Sequence, residues 1–453
     1  MFIDTHAHLF YPNYQDDLEK VLQNAKDEKV DYILIPATDL PTSLKVIELI
    51  DNHEMLYGAV GIHPHDTKDW DDVMLTQLTE FTKHKKVVAI GEIGLDYFYD
   101  FSPKEKQIEA FRKQLELATT LDLPVIIHNR EADEDVLSIV SEFSKRGLRG
   151  QFHCFSGTLK DAQQITGMNF FLSFTGNITF KKTDELRAIA SKIDLKHLLL
   201  ETDSPFMTPV PHRGKRNEPS NIPLIAQKLA ELHNVPIEAV GRITSFNTLK
   251  LFGIGHKSET SFTYKLGNSL YINITNRCNA SCFFCDKDGD AEIHGYNLKM
   301  NKSNEPPVET YINEIGDPRQ FDEIVFCGYG EPTIRFEVVK EIARYVKDNG
   351  GKTRLNTNGH GNIINKRNIV PELAKLIDTV SISLNSSNET QYAEIMRVDK
   401  NHFAEMKNFA AQAKAYVDKV VLTVVSIDEV EIEKARKLVE EEIGVEFRIR
   451  EYF

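Results

Sequence analysis

Between Phe2 and Pro205 the chain alternates apolar, strand-like runs with amphipathic helical stretches about eight times, and nothing else in it restricts the fold so tightly. The runs are Phe2–Leu9, Tyr32–Ala37, Tyr57–His63, Val87–Leu95, Pro124–His128, Gly150–Phe155, Phe170–Ile178 and Leu198–Asp203. Stretches such as Asp16–Lys29, Lys104–Leu121 and Asp184–Ile193 carry helical periodicity between them. Strands that alternate with helices lie parallel, because each return to the same edge needs a crossover. Repeated this many times, the unit predicts an α/β chain that opens with a (β/α)8 barrel. Such a barrel places its reactive groups where the strands end and the helices begin.

Polar residues collect at those ends. Val87–Ile90 reads as a buried strand that delivers Glu92 where the strand should stop, between glycines that let other groups approach closely. Alone, Glu92 reads as a solvated loop carboxylate. His6, His8, His128, His153 and Asp203 fall in the same strand-end context. In His6-Ala7-His8 the period of two puts both imidazoles on one face of a strand, although a lone pair of this kind also reads as buried core. Six N/O donors are too many for one tetrahedral zinc and suit two divalent cations sharing Glu92. Two such ions, about 3.5–4 Å apart, activate water and stabilise a leaving oxygen. No Lys stands at this position to form a carbamylated bridge.

Six ordered motifs then carry a resemblance. Phe2-Ile-Asp-Thr-His-Ala-His8, Gly61-Ile-His-Pro64, Gly91-Glu-Ile-Gly-Leu-Asp96, His153-Cys-Phe-Ser-Gly157, Glu201-Thr-Asp-Ser-Pro205 and Arg213-Gly-Lys-Arg-Asn-Glu-Pro219 together resemble the TatD family, metal-dependent deoxyribonucleases on a TIM barrel. The resemblance runs from Met1 to about Gly253. It implies one metal on His6, His8, Glu92 and Asp203, a second on Glu92, His128 and His153, and Asp203 as the group that orients or deprotonates the attacking water. Mg, Mn and Zn all suit such mixed ligands. His63, His65, Arg130 and Arg213 are candidates for substrate phosphate, Arg because its fork grips phosphate oxygens in pairs. Each also reads as an ordinary salt-bridge residue. Lys215 and Arg216 read as a solvated basic turn, and Cys154 as packing.

Leu251–Gly255 closes the barrel's last helix, and the polar stretch that follows reads as a linker. The expected boundaries are a hydrolase barrel at 1–254, a linker at 255–267 and a second domain at 268–453. Strands marked by Leu270, Glu323, Arg354, Thr379, Val420 and Glu446 predict a partial (β/α)6 barrel with little appended. After the first of them comes Cys278-Asn-Ala-Ser-Cys282-Phe-Phe-Cys285. Three thiolates so spaced suit an iron–sulfur cluster with one iron left open. A zinc knuckle completed by His294 is the rival, though zinc sites more often show two Cys-x2-Cys pairs.

This cysteine triplet resembles that of the radical SAM superfamily, whose members bind S-adenosylmethionine at the open iron of a [4Fe–4S] cluster and cleave it to a 5′-deoxyadenosyl radical. Gly328-Tyr-Gly-Glu-Pro332 resembles the Gly-Gly-Glu-Pro element that holds the methionine amino group, with Tyr329 a departure in spacing. The resemblance implies SAM contacts from Gly330, Glu331, Asn358, Asn385 and Arg397. No cysteine follows Cys327, so no auxiliary-cluster domain is expected. As a whole the fusion resembles a TatD-associated radical SAM protein. Such a protein needs a reductant of the flavodoxin or ferredoxin kind.

Composition bounds the rest. A net charge of −14 argues against wrapping a long nucleic acid by bulk electrostatics, but allows an anionic substrate held by metals. Five cysteines, three of them within eight residues, do not form a disulfide framework. The start, Met1-Phe2-Ile3-Asp4, reads as strand rather than signal peptide, and no run reaches a membrane span. A cytoplasmic enzyme with no membrane association is expected. Its hydrolase half is expected to act on DNA or a nucleotide-derived substrate. Hydrolysis of a small amide or ester, and a nuclease gated by a redox-sensing cluster, are the alternatives.

Overall fold

The computed structural model describes residues 1–286, 289–427 and 429–450. It divides into two compact units, Met1–Lys257 and Ser258–Phe453.

In the first unit eight parallel strands follow one another in chain order: β1 (Phe2–Asp4), β2 (Val30–Pro36), β3 (Leu56–Val60), β4 (Val87–Asp96), β5 (Val125–Arg130), β6 (Gly150–Phe152), β7 (Phe171–Phe174) and β8 (Leu198–Leu200). Helices run between them, and Ile222–His233 and Ile237–Phe252 complete the unit. Local chemistry sets the helix starts. Before the helix Leu40–Asn52, Asp39 Oδ1 accepts from the Thr42 N–H at 2.7 Å while Thr42 Oγ1 answers the Asp39 N–H. Alternate strand residues divide two cores. Ile33, Val60, Ile90, Val125 and Leu200 pack toward the helices, whereas Leu34, Ala59, Ala89, Ile126 and Leu199 form a separate buried cluster with Phe252 and Ile254.

The barrel closes beyond the strands rather than along them. Thr5 N–H donates to the Leu200 carbonyl at 2.9 Å, Ala7 pairs with Ser204, and Asp203 N–H donates to the His6 carbonyl at 2.9 Å. Five ladders are therefore shorter than the apolar runs suggest: they stop at Asp4, Val60, Phe152, Phe174 and Leu200. Strand β4 departs the other way. It does not end at Glu92 but bulges between Ile90 and Ile93 and runs on to Asp96, with the Glu92 N–H donated to the Ala37 carbonyl. Gly94, at φ 149°, lies where any Cβ would run into the His128 carbonyl of β5.

In the second unit β10 (Ser269–Asn273), β13 (Ile324–Cys327), β14 (Thr353–Thr357), β15 (Thr379–Ser383), β16 (Lys419–Val425) and β17 (Glu446–Arg450) are parallel neighbours. These are the six strands the sequence marks. A seventh, β9 (Thr263–Leu266), pairs antiparallel with β10, so residues 263–266 of the expected linker are strand. Its polar residues hid it, because an edge strand with one buried side chain, Tyr264, lacks an apolar run. A hairpin of β11 (Glu292–Ile293) and β12 (Tyr296–Asn297) follows the cysteine loop. Leu270, Ile324, Leu355, Val380, Leu422 and Phe447 face the helical layer. Tyr271, Cys327, Arg354, Asn356, Ser383 and Arg450 alternate with them and lie on the opposite face.

Candidate functional site

The closing seam of the first unit brings distant residues together. Ala7 is fully buried against Ser204, so His6 and His8, which flank it, turn the same way just past β1. Their Nε2 atoms stand 3.1 Å apart. Asp203, one step before Ser204, places Oδ1 3.6 Å from His8 Nε2 and 3.9 Å from His6 Nε2. The β4 bulge aims Glu92, only 3 % exposed, at the same spot.

Glu92 divides its neighbours between its two oxygens. Oε2 faces His6 Nε2 at 3.4 Å and His8 Nε2 at 3.5 Å. Oε1 faces His128 Nδ1 and His153 Nε2, both at 2.8 Å, and His63 Nε2 at 3.5 Å. His6, His8 and Asp203 form one group able to hold a cation, and His63, Glu92 and His128 another. His63, expected at the substrate phosphate, is thus brought into the donor cluster itself.

Proton bookkeeping shows that these donors fit metal ions. The Pro36 carbonyl, 3.1 Å from His8 Nδ1, can only accept, so Nδ1 carries the proton and the Nε2 lone pair points inward. Asp96 Oδ2 likewise accepts from His128 Nε2 at 3.1 Å, which leaves the Nδ1 lone pair facing Glu92 Oε1. Two lone pairs at that distance need a positive charge between them. A proton can serve: burial disfavours imidazolium, but Asp96 and Glu92 outweigh it and raise His128 to about 9. A divalent ion serves better, since it satisfies His153 and His63 as well. Burial lowers His6 to about 3 and His63 to about 4, so both stay neutral and ligand-competent. Against its burial, His153, His63 and His128 hold Glu92 well below the usual carboxylate range.

Three buried acids escape a reading of the sequence. Asp96 accepts from His65 Nε2 at 2.8 Å as well as from His128, and its Oδ1 accepts the Phe98 and Tyr99 N–H groups. Glu201 accepts from the Cys154 N–H at 2.5 Å and from Gln151, and burial with Asp203 nearby pushes it well above its usual range. Asp4 ties the seam by accepting from Thr202 Oγ1 at 2.6 Å, and burial raises it to about 7. Their one sequence signal is position, directly after apolar strand residues such as Ile3, Leu95 and Leu200.

The mouth carries exposed aromatics. Phe98, Tyr99 and Phe101 are 50 %, 39 % and 58 % exposed. The Arg130 guanidinium lies 4.0 Å from the Phe98 ring centre and 4.8 Å from that of Tyr99. His65 meets Tyr99 and Phe101 edge-on. Beyond the seam, Phe206 is exposed beside Tyr11 and His8. Arg213 lies over Phe180, 4.1 Å from its centre. Cys154 packs beside Thr175.

In the second unit Cys278, Cys282 and Cys285 share one loop after β10, each half-buried and outside any disulfide. The Ser281 and Phe283 N–H groups donate to the Met396 and Ile395 carbonyls, and Cys282 Sγ lies 3.3 Å from Met396 Sδ. Three thiols anchored on one loop suit a cluster that leaves one iron unliganded. Gly330 presses against the Thr275 and Arg277 carbonyls so closely that a Cβ has no room. Glu331 is turned inward: Thr333 Oγ1, Thr357 Oγ1 and the Asn358 N–H donate to it at 2.6, 2.8 and 2.7 Å. Its carboxylate therefore braces the turn. Asn358 Nδ2 donates to Asn279 Oδ1 at 2.8 Å, inside the cysteine loop. Asn385, buried with φ 52°, approaches Met396 Sδ at 3.3 Å, and Arg397, φ 51°, caps the helix Glu389–Met396. Among the described residues no helix is long and apolar enough to cross a membrane.

Comparison with known proteins matches each of the two units separately. A family model described as "TatD related DNase" matches residues 3–253, and one described as "Radical SAM superfamily" matches residues 272–441. The uncharacterized metal-dependent hydrolase YabD of Bacillus subtilis is 45 % identical over 254 residues, which is 56 % of this chain and 100 % of that protein. The 3'-5' ssDNA/RNA exonuclease TatD of Erwinia tasmaniensis is 32 % identical over 257 residues, 55 % of this chain and 99 % of that one. The crystal structure of YJJV, a TatD homolog from Escherichia coli, aligns with a TM-score of 0.54 and 34 % identity, covering 56 % of this chain and 98 % of that one.

Proposed function

The chain belongs to the TatD-related DNase family and carries a radical SAM domain behind that hydrolase, and from this premise we propose a bifunctional enzyme. Its first unit hydrolyses phosphoester bonds in nucleic acid with two divalent cations. Its second unit cleaves S-adenosylmethionine reductively. The observation that carries the first half is the division of Glu92, one carboxylate oxygen toward His6 and His8 and the other toward His128, His153 and His63. His6, His8, Asp203 and Glu92 would hold one ion, and Glu92, His128 and His153, with His63 beside them, would hold the other.

Cations bound there supply an activated water and neutralise the charge that grows on the phosphoryl oxygens. The protein does the rest. Asp203, held ionised by His8 and His6 against its burial, takes the proton of the attacking water. Glu92 stays ionised throughout. Arg130 and Arg213, each laid on an aromatic ring, grip substrate phosphates. Phe98, Tyr99 and Phe101 stack unpaired bases, which favours a single-stranded end. The Erwinia tasmaniensis relative, an exonuclease on single-stranded DNA and RNA by name, supports that reading.

In the second unit Cys278, Cys282 and Cys285 hold a [4Fe–4S] cluster, and Gly330, Asn358, Asn385 and Arg397 frame SAM. A cluster bound there supplies the electron that splits SAM into methionine and a 5′-deoxyadenosyl radical. The test is anaerobic reconstitution with iron, sulfide and dithionite, then assay of 5′-deoxyadenosine from SAM in a sample also given a single-stranded oligonucleotide and Mg²⁺. Both products are expected. DNA cleavage with a cluster present but no 5′-deoxyadenosine points instead to a nuclease gated by a redox-sensing module.

A further inference from the structure

On the face of the second sheet opposite the helical layer, Arg450 stands apart. It ends β17, yet its Nη2 donates to Ser383 Oγ of β15 at 3.1 Å, so its side chain lies across β16. Ser383 Oγ is the partner its guanidinium reaches, and no carboxylate pairs with it among the described residues. Neighbouring cations are neutralised differently. Arg354 meets Glu323 at 2.8 Å, while Arg448 and Lys419 both meet Glu446, at 3.3 and 2.6 Å. Glu331 offers no compensation either, because Thr333, Thr357 and Asn358 occupy its carboxylate.

Beside Arg450 and Ser383 the same face also presents Asn356 and Cys327. Asn356 Nδ2 approaches Cys327 Sγ at 3.5 Å, and Arg354 Nη1 reaches Asn356 Oδ1 at 3.4 Å. A guanidinium pinned by a hydroxyl and paired with no acid among the described residues attracts an anion.

We propose that Arg450, with Ser383, is the anchor for an oxyanion carried by the substrate of the radical reaction, a phosphate or a carboxylate. The proposal rests on the reading that Cys278, Cys282 and Cys285 hold the cluster. Ser383 orients the guanidinium, and the remainder of the substrate extends from Arg450 toward Cys327 and the cysteine loop. SAM carries a carboxylate of its own, so the experiment separates the two sources.

The full chain is reconstituted, SAM is added, and the cluster is reduced. Thymidine 5′-monophosphate and inorganic phosphate serve as phosphate probes, glutarate as the carboxylate probe and thymidine as the uncharged control. The EPR signal of the reduced cluster is the local reporter. One class of oxyanion is expected to shift the signal at concentrations where thymidine does not. Arg450→Ala should need at least about tenfold more probe for the same shift, and Arg450→Lys should fall between. Equal titrations of wild type and both variants, or no shift by any probe, overturn the proposal. Weakened SAM binding by Arg450→Ala, read from the same signal, also overturns it and assigns the residue to the cofactor's carboxylate. Iron content and absorbance separate these outcomes from failure of the underlying reading: without a bound cluster the assignment of the three cysteines falls first.

Discussion

His128 donates its Nε2 proton to Asp96 Oδ2 at 3.1 Å, and that bond decides which of its nitrogens faces Glu92. Asp96 Oδ1 is meanwhile occupied by the Phe98 and Tyr99 N–H groups. In Asp96→Asn the side-chain oxygen keeps those two donors and the amide N–H₂ turns toward the histidines. His128 then has to protonate Nδ1, the nitrogen needed for metal. We expect one of two cations to bind about 10–100-fold more weakly, the usual cost of losing such a partner. Metal titration by calorimetry checks this, and circular dichroism should show the fold retained. Two unchanged affinities would refute the orienting role.

Glu92→Gln keeps the shape but removes the charge shared by both donor groups. Hydrolysis of a single-stranded oligonucleotide is expected to fall by at least about 100-fold, since several kcal/mol of charge stabilisation depend on it. Chelation provides the companion test. A ligand present at 100 times its Kd stabilises the folded state by about 2.7 kcal/mol. Removing metal should therefore lower the melting temperature of the wild type and leave that of Glu92→Gln nearly unmoved.

The seam and the bulge explain how much of this site is legible from residues alone. Each of the eight apolar runs contains a strand, and His128 and Asp203 fall near strand ends, whereas Glu92 lies within the β4 bulge rather than where its strand stops. The β4 bulge escapes notice because it depends on pairing register with β5, a tertiary property. His63 and Asp96 reveal their places only when β3, β4 and β5 are side by side. In the second unit β9 hides for a different reason: its backbone pairs with β10, while its side chains carry no apolar pattern. Chemistry-bearing residue types are thus readable, whereas which atoms face one another is not.

Phe98 and Phe101 stand too far out to serve the core, being 50 % and 58 % exposed. Stacking on one aromatic ring is worth about 1–3 kcal/mol per base. The double variant Phe98→Ala/Phe101→Ala is expected to raise KM for a single-stranded oligonucleotide about tenfold or more with kcat little changed. Bis(p-nitrophenyl) phosphate, which has no base to stack, should be cleaved as before. A fall in both activities would place the aromatics in folding rather than recognition.

His360 gives the second unit a predictable acid response. The Asn279 amide N–H donates to its Nδ1 at 3.0 Å, so the proton sits on Nε2, facing Tyr392 Oη at 2.8 Å. Burial, with His402 nearby, lowers its pKa to about 3. The unfolded chain takes a proton below about pH 6.5 and the folded one does not, so stability falls as pH drops from about 6.5 toward 3. Between pH 7 and pH 5 the wild type should lose about 2 kcal/mol more than His360→Gln, at about 1.4 kcal/mol per unit of pH. Denaturant titrations at the two pH values measure the difference, and parallel losses would reject it.

Because the barrel closes through Ala7 and Ser204, His6 and His8 wait for Asp203 until almost the whole unit has been synthesised. A ribosome part-way along this message carries a chain with two histidines and no second wall to the cleft. The donor group of His6, His8 and Asp203 is therefore completed only once the last strand has docked against the first.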